Sequence, residues 1–383
     1  MIPLCAPSLR GSEWAYVKEC LDTQWVSSAG RFVDRFEQEC SRYVDSRFGV
    51  ACSSGTAALT VALRIAGVRP GDEVIFPTVT FIAPINAGAQ LGAVPVFMDC
   101  DEYYNIDPEK TIEFIEQHTL SRDDGAYNIR TGRRVAALVP VHVFGNAARL
   151  DDLVPLCRER RIHVVEDATE SLGSVYTQGR FAGWYTGTVG DLGCFSFNGN
   201  KIITTGGGGM IVTDDEDYAH TARYLTTQAK DDPVYFVHNE IGYNFRLTNV
   251  QAAMGVAQLE QLSKFKEIKQ RNYAAYAEAI AGISGLQLAS VPPYADNNCW
   301  MYAVRIDSGR YGMNRDRLLE RFRQHGIETR PLWYLNHLQR PYLECPSYRI
   351  DYAPKLLETT LNIPCSVGLT EEERTAVIEV LSH

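Results

Sequence analysis

The sequence predicts an α/β fold: a mostly parallel sheet covered by helices, with a smaller α+β domain at the C-terminal end. Three observations predict it. Over the first two thirds, short β-branched runs alternate with helical patterns, as a parallel sheet with crossover helices requires. At 383 residues the chain exceeds the usual size of one domain. Beyond Leu262 the pattern changes, which places a large domain over 1–264 and a small domain over 265–383.

The expected strands of the large domain are FGVAC (48–52), EVIFP (73–77), VPVFMD (94–99), VAALVPV (135–141), IHVVED (162–167) and residues 209–213. Between them, TAALTVALRIAG (56–67) carries its apolar residues on one helical face, and PEKTIEFIEQH (108–118) opens with Pro108 at a favoured first-turn position. A further helix spans 248–262. The stretch SRDDGAYNIRTGRR (121–134) has no apolar period and reads as a surface excursion without chemistry. In the small domain, the helical run KFKEIKQRNYAAYAEAI is followed by strand WMYAVRI (300–306), a helix near 314–325 and a closing helix behind the capping box Thr370 to Glu373.

Composition narrows the function. Hydrophobic residues make up 45% and charged residues 22%, as in ordinary globular proteins. A net charge of −10 argues against nucleic acid or an anionic membrane as the partner. The ten cysteines lie scattered without a CxxC pair, so neither a disulfide framework nor a zinc site is expected and a reducing cytoplasm fits. The start MIPLCAPSLRGSEW has no basic region leading into an apolar one, and no run reaches the ~18 apolar residues of a membrane span. Neither export nor insertion is expected.

The chemistry concentrates at Asp167, which ends IHVVED, and at Lys201 in FSFNGNKIITTGGGGM. Pyridoxal phosphate chemistry needs a lysine amine for the aldehyde and a carboxylate for the pyridine nitrogen. Alone, Asp167 would read as a helix cap and Lys201 as a solvated charge. The small hydroxyl residue Ser196 and the run Thr204 to Gly209 shift the balance, because they let backbone approach a phosphate. Ser53, Ser54, Gly55 and Thr56 form a second anion candidate at a helix start, where a plain N-cap competes. Phe81 follows strand 73–77, at the end of a sheet where α/β proteins bind ligands; core packing is its competing reading. No GxxxxGK[ST], no GxGxxG after the first strand and no HExxH are present. The acidic run DDED (214–217) reads as a helix start rather than a metal site.

SSGTAAL, TVTFIA, VVEDATESLGS, FSFNGNK with TTGGGGMIVT, GYNFRLTNVQAAMG and GIETRPLW resemble, in order, the pyridoxal-phosphate-dependent nucleotide-sugar aminotransferases of the DegT/DnrJ/EryC1/StrS family. The resemblance covers nearly the whole chain. It implies fold type I, aspartate aminotransferase-like, with a mostly parallel seven-stranded sheet in the large domain. FNGNKIITTGGGGM, the glutamate of EDATESLGS, TTQAKDD and ETRPLW look most like enzymes that aminate C4 of UDP-4-keto-6-deoxy-N-acetylhexosamines on routes to bacillosamine and legionaminic acid. C3 or C4 amination of a dTDP- or GDP-linked keto-deoxy sugar is the alternative.

By resemblance, Lys201 bonds the cofactor and moves the proton, while Asp167 pairs with the ring nitrogen. Ser54, Gly55, Thr56 and Ser196 hold the phosphate, Phe81 stacks on the ring and Glu170 sits beside the ring hydroxyl. Asn244 reaches the cofactor phosphate of a partner subunit, so a homodimer with shared sites is expected; a local helix cap is the competing reading. Trp25, Val26, Ser27, His238 and Arg330 lie where relatives contact nucleotide sugars, with an exposed loop as the alternative for each. L-glutamate is the implied donor, and pyridoxamine 5'-phosphate links the two half-reactions.

Three other readings fit these residues less well. Lys201 opposes the sugar dehydration carried out by family members with histidine there. No cysteine except Cys52, which reads as strand, suits a lyase or desulfurase. A non-catalytic cofactor-binding regulator would carry a DNA-binding module, and neither a basic patch nor a spare helical domain is evident.

Overall fold

Seven strands form the centre of one sheet: β1 (Phe48–Cys52), β2 (Glu73–Pro77), β3 (Val94–Met98), β4 (Arg134–Leu138), β5 (His163–Asp167), β6 (Leu192–Ser196) and β7 (Gly209–Thr213). The computed structural model describes residues 1–382. Their spatial order is β1-β7-β6-β5-β4-β2-β3. Only β7 runs against the rest, pairing antiparallel with both β1 and β6; the pairs from β6 to β3 are parallel. Helices cover both faces, which is why β2 and β7 are buried along their whole length and read as continuous apolar runs rather than alternating ones.

Helix Pro108–His118 has the expected bounds, and its cap Asp107 accepts from Lys110 N. Asp215 of the acidic run caps helix Glu216–Thr226. The Thr370–Glu373 box forms both of its reciprocal bonds, 3.0 and 3.2 Å. Strand β6 is not among the strands expected from pattern. The 121–134 stretch departs from expectation. Thr119–Arg122 and Gly125–Asn128 form an antiparallel hairpin on β4. Behind it, Asn128 Nδ2 and Thr131 Oγ1 each donate to the fully buried Glu73 at 2.7 Å. A polar segment is retained there because a buried carboxylate needs donors.

A second, antiparallel sheet has the order Leu286–Leu288, Tyr302–Ile306, Thr360–Ile363, Arg330–Pro331. It shares a core with helix Leu262–Ala281 through Tyr276, Tyr302 and Phe322. We propose that the two sheets mark two domains divided near residue 264. Strand pairings cross that division: Ile2 bridges to Ile327, Ala295–Asp296 pairs with Val175–Tyr176, and Ser347–Tyr348 adds to the β3 edge. Among the described residues, no helix is long and apolar enough to cross a membrane, and no cluster of metal-ligating side chains is found.

Candidate active site

The carboxyl ends of β1, β2, β5 and β6 open on one cavity of about 360 Å³. Ser54, Gly55, Thr56, Phe81, Asp167, Glu170, Ser196 and Lys201 line it, so eight of the residues singled out from sequence meet at one place. A larger cavity of about 840 Å³ lies beside strand Leu286–Leu288, but of its charged residues Asp307 and Arg310 are exposed and Arg305 is committed to the Tyr104 hydroxyl. The smaller one carries the chemistry because it holds a half-buried amine that faces one buried carboxylate and shares the cavity with another.

One end of the cavity suits an anion. Ser54 caps helix Gly55–Ile65, its Oγ accepting from Ala57 N at 3.0 Å, and the first-turn N–H groups and the helix dipole attract negative charge. Glycine is required where β7 and β6 press on this turn. A Cβ on Gly55 would lie 2.9 Å from Ser196 Cβ, and one on Gly209 would run into the Ser54 carbonyl.

The other end is carboxylate-rich. Asp167 is buried, and its Oδ1 accepts one backbone bond, from Thr169 N at 3.1 Å. Its main chain is tied down by Pro140 O and His142 N. Burial pushes this carboxyl up, against the pull of Thr169, Lys201 and His142. A cation placed against it would reverse that direction. Glu170 follows in the next turn and is buried too, with Oε2 accepting from Phe144 N at 2.8 Å. Burial pushes it up to about 7, opposed by Lys201 and by the Phe144 N–H, and assisted by Asp167.

Lys201 Nζ stands 3.8 Å from Glu170 Oε1 and 4.3 Å over the Trp300 indole. The indole Nε1 donates to Asn200 O at 2.7 Å, which fixes the ring to the lysine's own turn. Below the site, Glu166 accepts from His142 Nε2 (2.8 Å) and from Gly187, Val189 and Gly190 N–H groups. The other ring nitrogen of His142 accepts from Ala148 N at 3.0 Å, so its tautomer is set. This network anchors the strand end that presents Asp167.

The remaining residues singled out from sequence lie apart from the cavity. Asn244, Trp25, Val26, Ser27, His238 and Arg330 are exposed. Asn249 holds the Trp25 and Ser27 carbonyls at 2.7 and 2.6 Å, His238 faces Gln228 O, and Arg330 bonds Thr329 O. One chain alone does not bring them to the site. Asn244 is not a helix cap, because Thr248 fills that role with a capping box to Gln251. Sequence reasoning missed Thr80, Thr169, Trp300 and Trp333, which also line the cavity. Thr169 could have been found two residues after Asp167; Trp300 carries no local signal.

This fold and this cavity define a pyridoxal-phosphate enzyme of fold type I. The sequence profile of the DegT/DnrJ/EryC1/StrS aminotransferase family matches residues 7–382. The chain is 36% identical to a GDP-perosamine synthase of Caulobacter vibrioides, over 100% of this chain and 98% of that one. It is 34% identical to a GDP-perosamine synthase of Escherichia coli O157:H7, with the same two coverages. The solved aminotransferase TlmJ of Streptoalloteichus hindustanus superposes with a TM-score of 0.88 at 27% identity, covering 100% of this chain and 98% of that one. The chain belongs to the DegT/DnrJ/EryC1/StrS aminotransferase family and is a pyridoxal-phosphate-dependent nucleotide-sugar aminotransferase.

Proposed function

We propose that the enzyme transfers an amino group from L-glutamate to C4 of a nucleotide-linked 4-keto-6-deoxyhexose, releasing 2-oxoglutarate. The observation that carries this reading is the half-buried Lys201 amine, 3.8 Å from Glu170 and sharing one cavity with the buried Asp167 and a helix N-terminus, in a chain similar along its full length to GDP-perosamine synthases. Perosamine is a 4-amino-4,6-dideoxy sugar, which supports C4. When bound, pyridoxal phosphate supplies the electron sink for the carbon that loses its proton.

The chain's own residues do the rest. Ser54, Gly55, Thr56 and Ser196 would hold the phosphate, with Phe81 against the ring and Asp167 opposite its nitrogen. Burial alone disfavours the Asp167 anion, so a protonated ring nitrogen and Asp167 stabilise each other's charge. Lys201 takes the proton from the donor's α-carbon as the uncharged amine and, once protonated, returns one to the sugar carbon. Trp300 and Trp333 wall the cavity and limit water. Asn244, Trp25, Val26, Ser27, His238 and Arg330 are proposed to act across a homodimer, where one subunit completes the cofactor and sugar sites of the other.

The relatives support a GDP-linked sugar. A second reading, a UDP-4-keto-6-deoxy-N-acetylhexosamine, is favoured by TTQAKDD, ETRPLW and the glutamate at position 170. The test offers the purified protein pyridoxal phosphate, L-glutamate and either GDP-4-keto-6-deoxymannose or UDP-2-acetamido-4-keto-2,6-dideoxyglucose. Mass spectrometry and NMR should find a 4-amino sugar from one of them, with its configuration. Both sugars unchanged beside cofactor-loaded protein would refute C4 amination of these substrates.

A further inference from the structure

Lys201 and Glu170 face each other inside the cavity, and their side chains are 13% and 3% exposed. Two groups hold the glutamate, one at its side chain and one at its main chain. Phe144, itself buried and in the left-handed region at φ 59°, aims its N–H at Oε2. Gly145 follows at φ 93°, where a Cβ would run into the Asn298 side chain, and Asn298 Nδ2 donates to the Glu170 carbonyl at 2.9 Å. With one oxygen clamped, Oε1 is left for Lys201.

The charged or titratable groups facing Glu170 are Lys201 and Asp167. His142, on the turn that supplies Phe144, is committed to Glu166. The segment Asn297–Trp300 contributes the Asn298 amide and, at the lysine, the Trp300 indole. Two charges buried together are stable only with close, well-satisfied contacts. At 3.8 Å the pair forms no direct hydrogen bond, and burial already pushes the glutamate up to about 7. The uncharged pair, amine beside carboxylic acid, is the alternative that burial favours.

We propose that Glu170 is a second acid–base group of this site, which takes a proton from the Lys201 ammonium and gives it back. An N–H bond on Nζ breaks, an O–H bond forms on Oε1, and the pair goes from one positive and one negative charge to none. No other reactant is consumed. The exchange delivers the neutral amine that both cofactor capture and proton abstraction require. It rests on the reading of Lys201 as the amine of the site.

The test uses the cofactor-free protein, without donor or sugar. Fluorodinitrobenzene arylates only the neutral amine and does not itself titrate, so the modification rate of Lys201, followed by peptide mass spectrometry across pH, reports its state. The wild type should rise about tenfold per pH unit up to about pH 7, level off, and rise again toward the ordinary lysine range. Glu170→Gln should show a single rise. A single rise in the wild type with the same midpoint as Glu170→Gln overturns the proposal, and so does a two-step profile that persists in Glu170→Gln, which would assign the first step to Asp167. Should that variant not fold, Glu170→Ala replaces it in infrared spectroscopy: a buried carboxylic-acid band near pH 7 that the wild type shows and Glu170→Ala lacks supports the exchange, and identical bands in the two overturn it. Neither readout needs turnover, so failure here leaves the amination reading standing, and an inactive sugar assay leaves this one standing.

Discussion

Asp99 and Asp167 lie at the carboxyl ends of two strands of the same sheet, β3 and β5, and both are buried. Asp99 accepts from Lys110 Nζ at 2.6 Å and from the N–H groups of Asp351, Tyr352 and Ala353 at 2.8 to 2.9 Å. Burial raises it, but Lys110 and the three backbone donors outweigh that and leave it below the ordinary carboxylate value. Asp167 has a single backbone donor, and burial leaves it raised. The same contrast separates the neighbours Glu166, with four donors, and Glu170, with one. A buried carboxylate whose donors are complete holds the fold together, whereas one left short of donors faces a cavity and waits for a ligand's charge.

Substitution should separate the two kinds. The largest effect is expected at the amine: Lys201→Ala should abolish transamination while its circular dichroism matches wild type, and wild-type-like turnover would remove Lys201 from the mechanism. Asp167→Asn should lose no thermal stability and lose about 10²–10³-fold in turnover, the scale of a removed electrostatic stabiliser. Asp99→Asn should behave oppositely. Breaking its contact with Lys110 should cost about 3 kcal/mol of stability, with the turnover of the surviving folded enzyme within about twofold of wild type in urea-melt and rate measurements. If both variants lost activity and kept stability, the contrast would fail.

The pH dependence of stability sharpens the same comparison. For Asp99 the folded-state value lies below the ordinary 3.8, so its contribution is full above that value and is lost as the pH falls through the lowered one. For Asp167 the folded value lies above 3.8; the folded cofactor-free protein holds the extra proton, and stability falls as the pH rises through that window. Cofactor-free Asp167→Asn should therefore be more stable than wild type at neutral pH, and Asp99→Asn less stable there, in denaturant titrations. Equal shifts of one sign would contradict the assignment. A smaller effect tests the second subunit. Mixing inactive Lys201→Ala with weakened Asn244→Ala should restore turnover if Asn244 serves the partner's site, and should leave it unchanged if it does not.

Much of the site was legible because its parts follow strand ends. Ser54, Phe81 and Asp167 each follow or close an apolar run, and such runs are readable one at a time; Ser196 stood out only by its nearness to Lys201. The sheet's continuous burial made β2, β3 and β5 equally plain. What escaped depends on contacts distant in sequence. The 121–134 hairpin has no pattern of its own, because its purpose is to satisfy Glu73 on another strand. Trp300 reaches Lys201 from across the chain, and Phe144 supplies its N–H only because of a left-handed turn that no residue type at 144 announces. Asn244 and the exposed loops around Trp25 and His238 are surface in one chain, and their meaning depends on a second.

The most direct test of the account is to load the protein with pyridoxal phosphate, reduce it with borohydride and locate the cofactor by peptide mass spectrometry. The account predicts a single modified residue, Lys201, and none in Lys201→Ala. Attachment at another lysine, such as the buried Lys269, would contradict the cavity, the carboxylate comparison and the proposed reaction together.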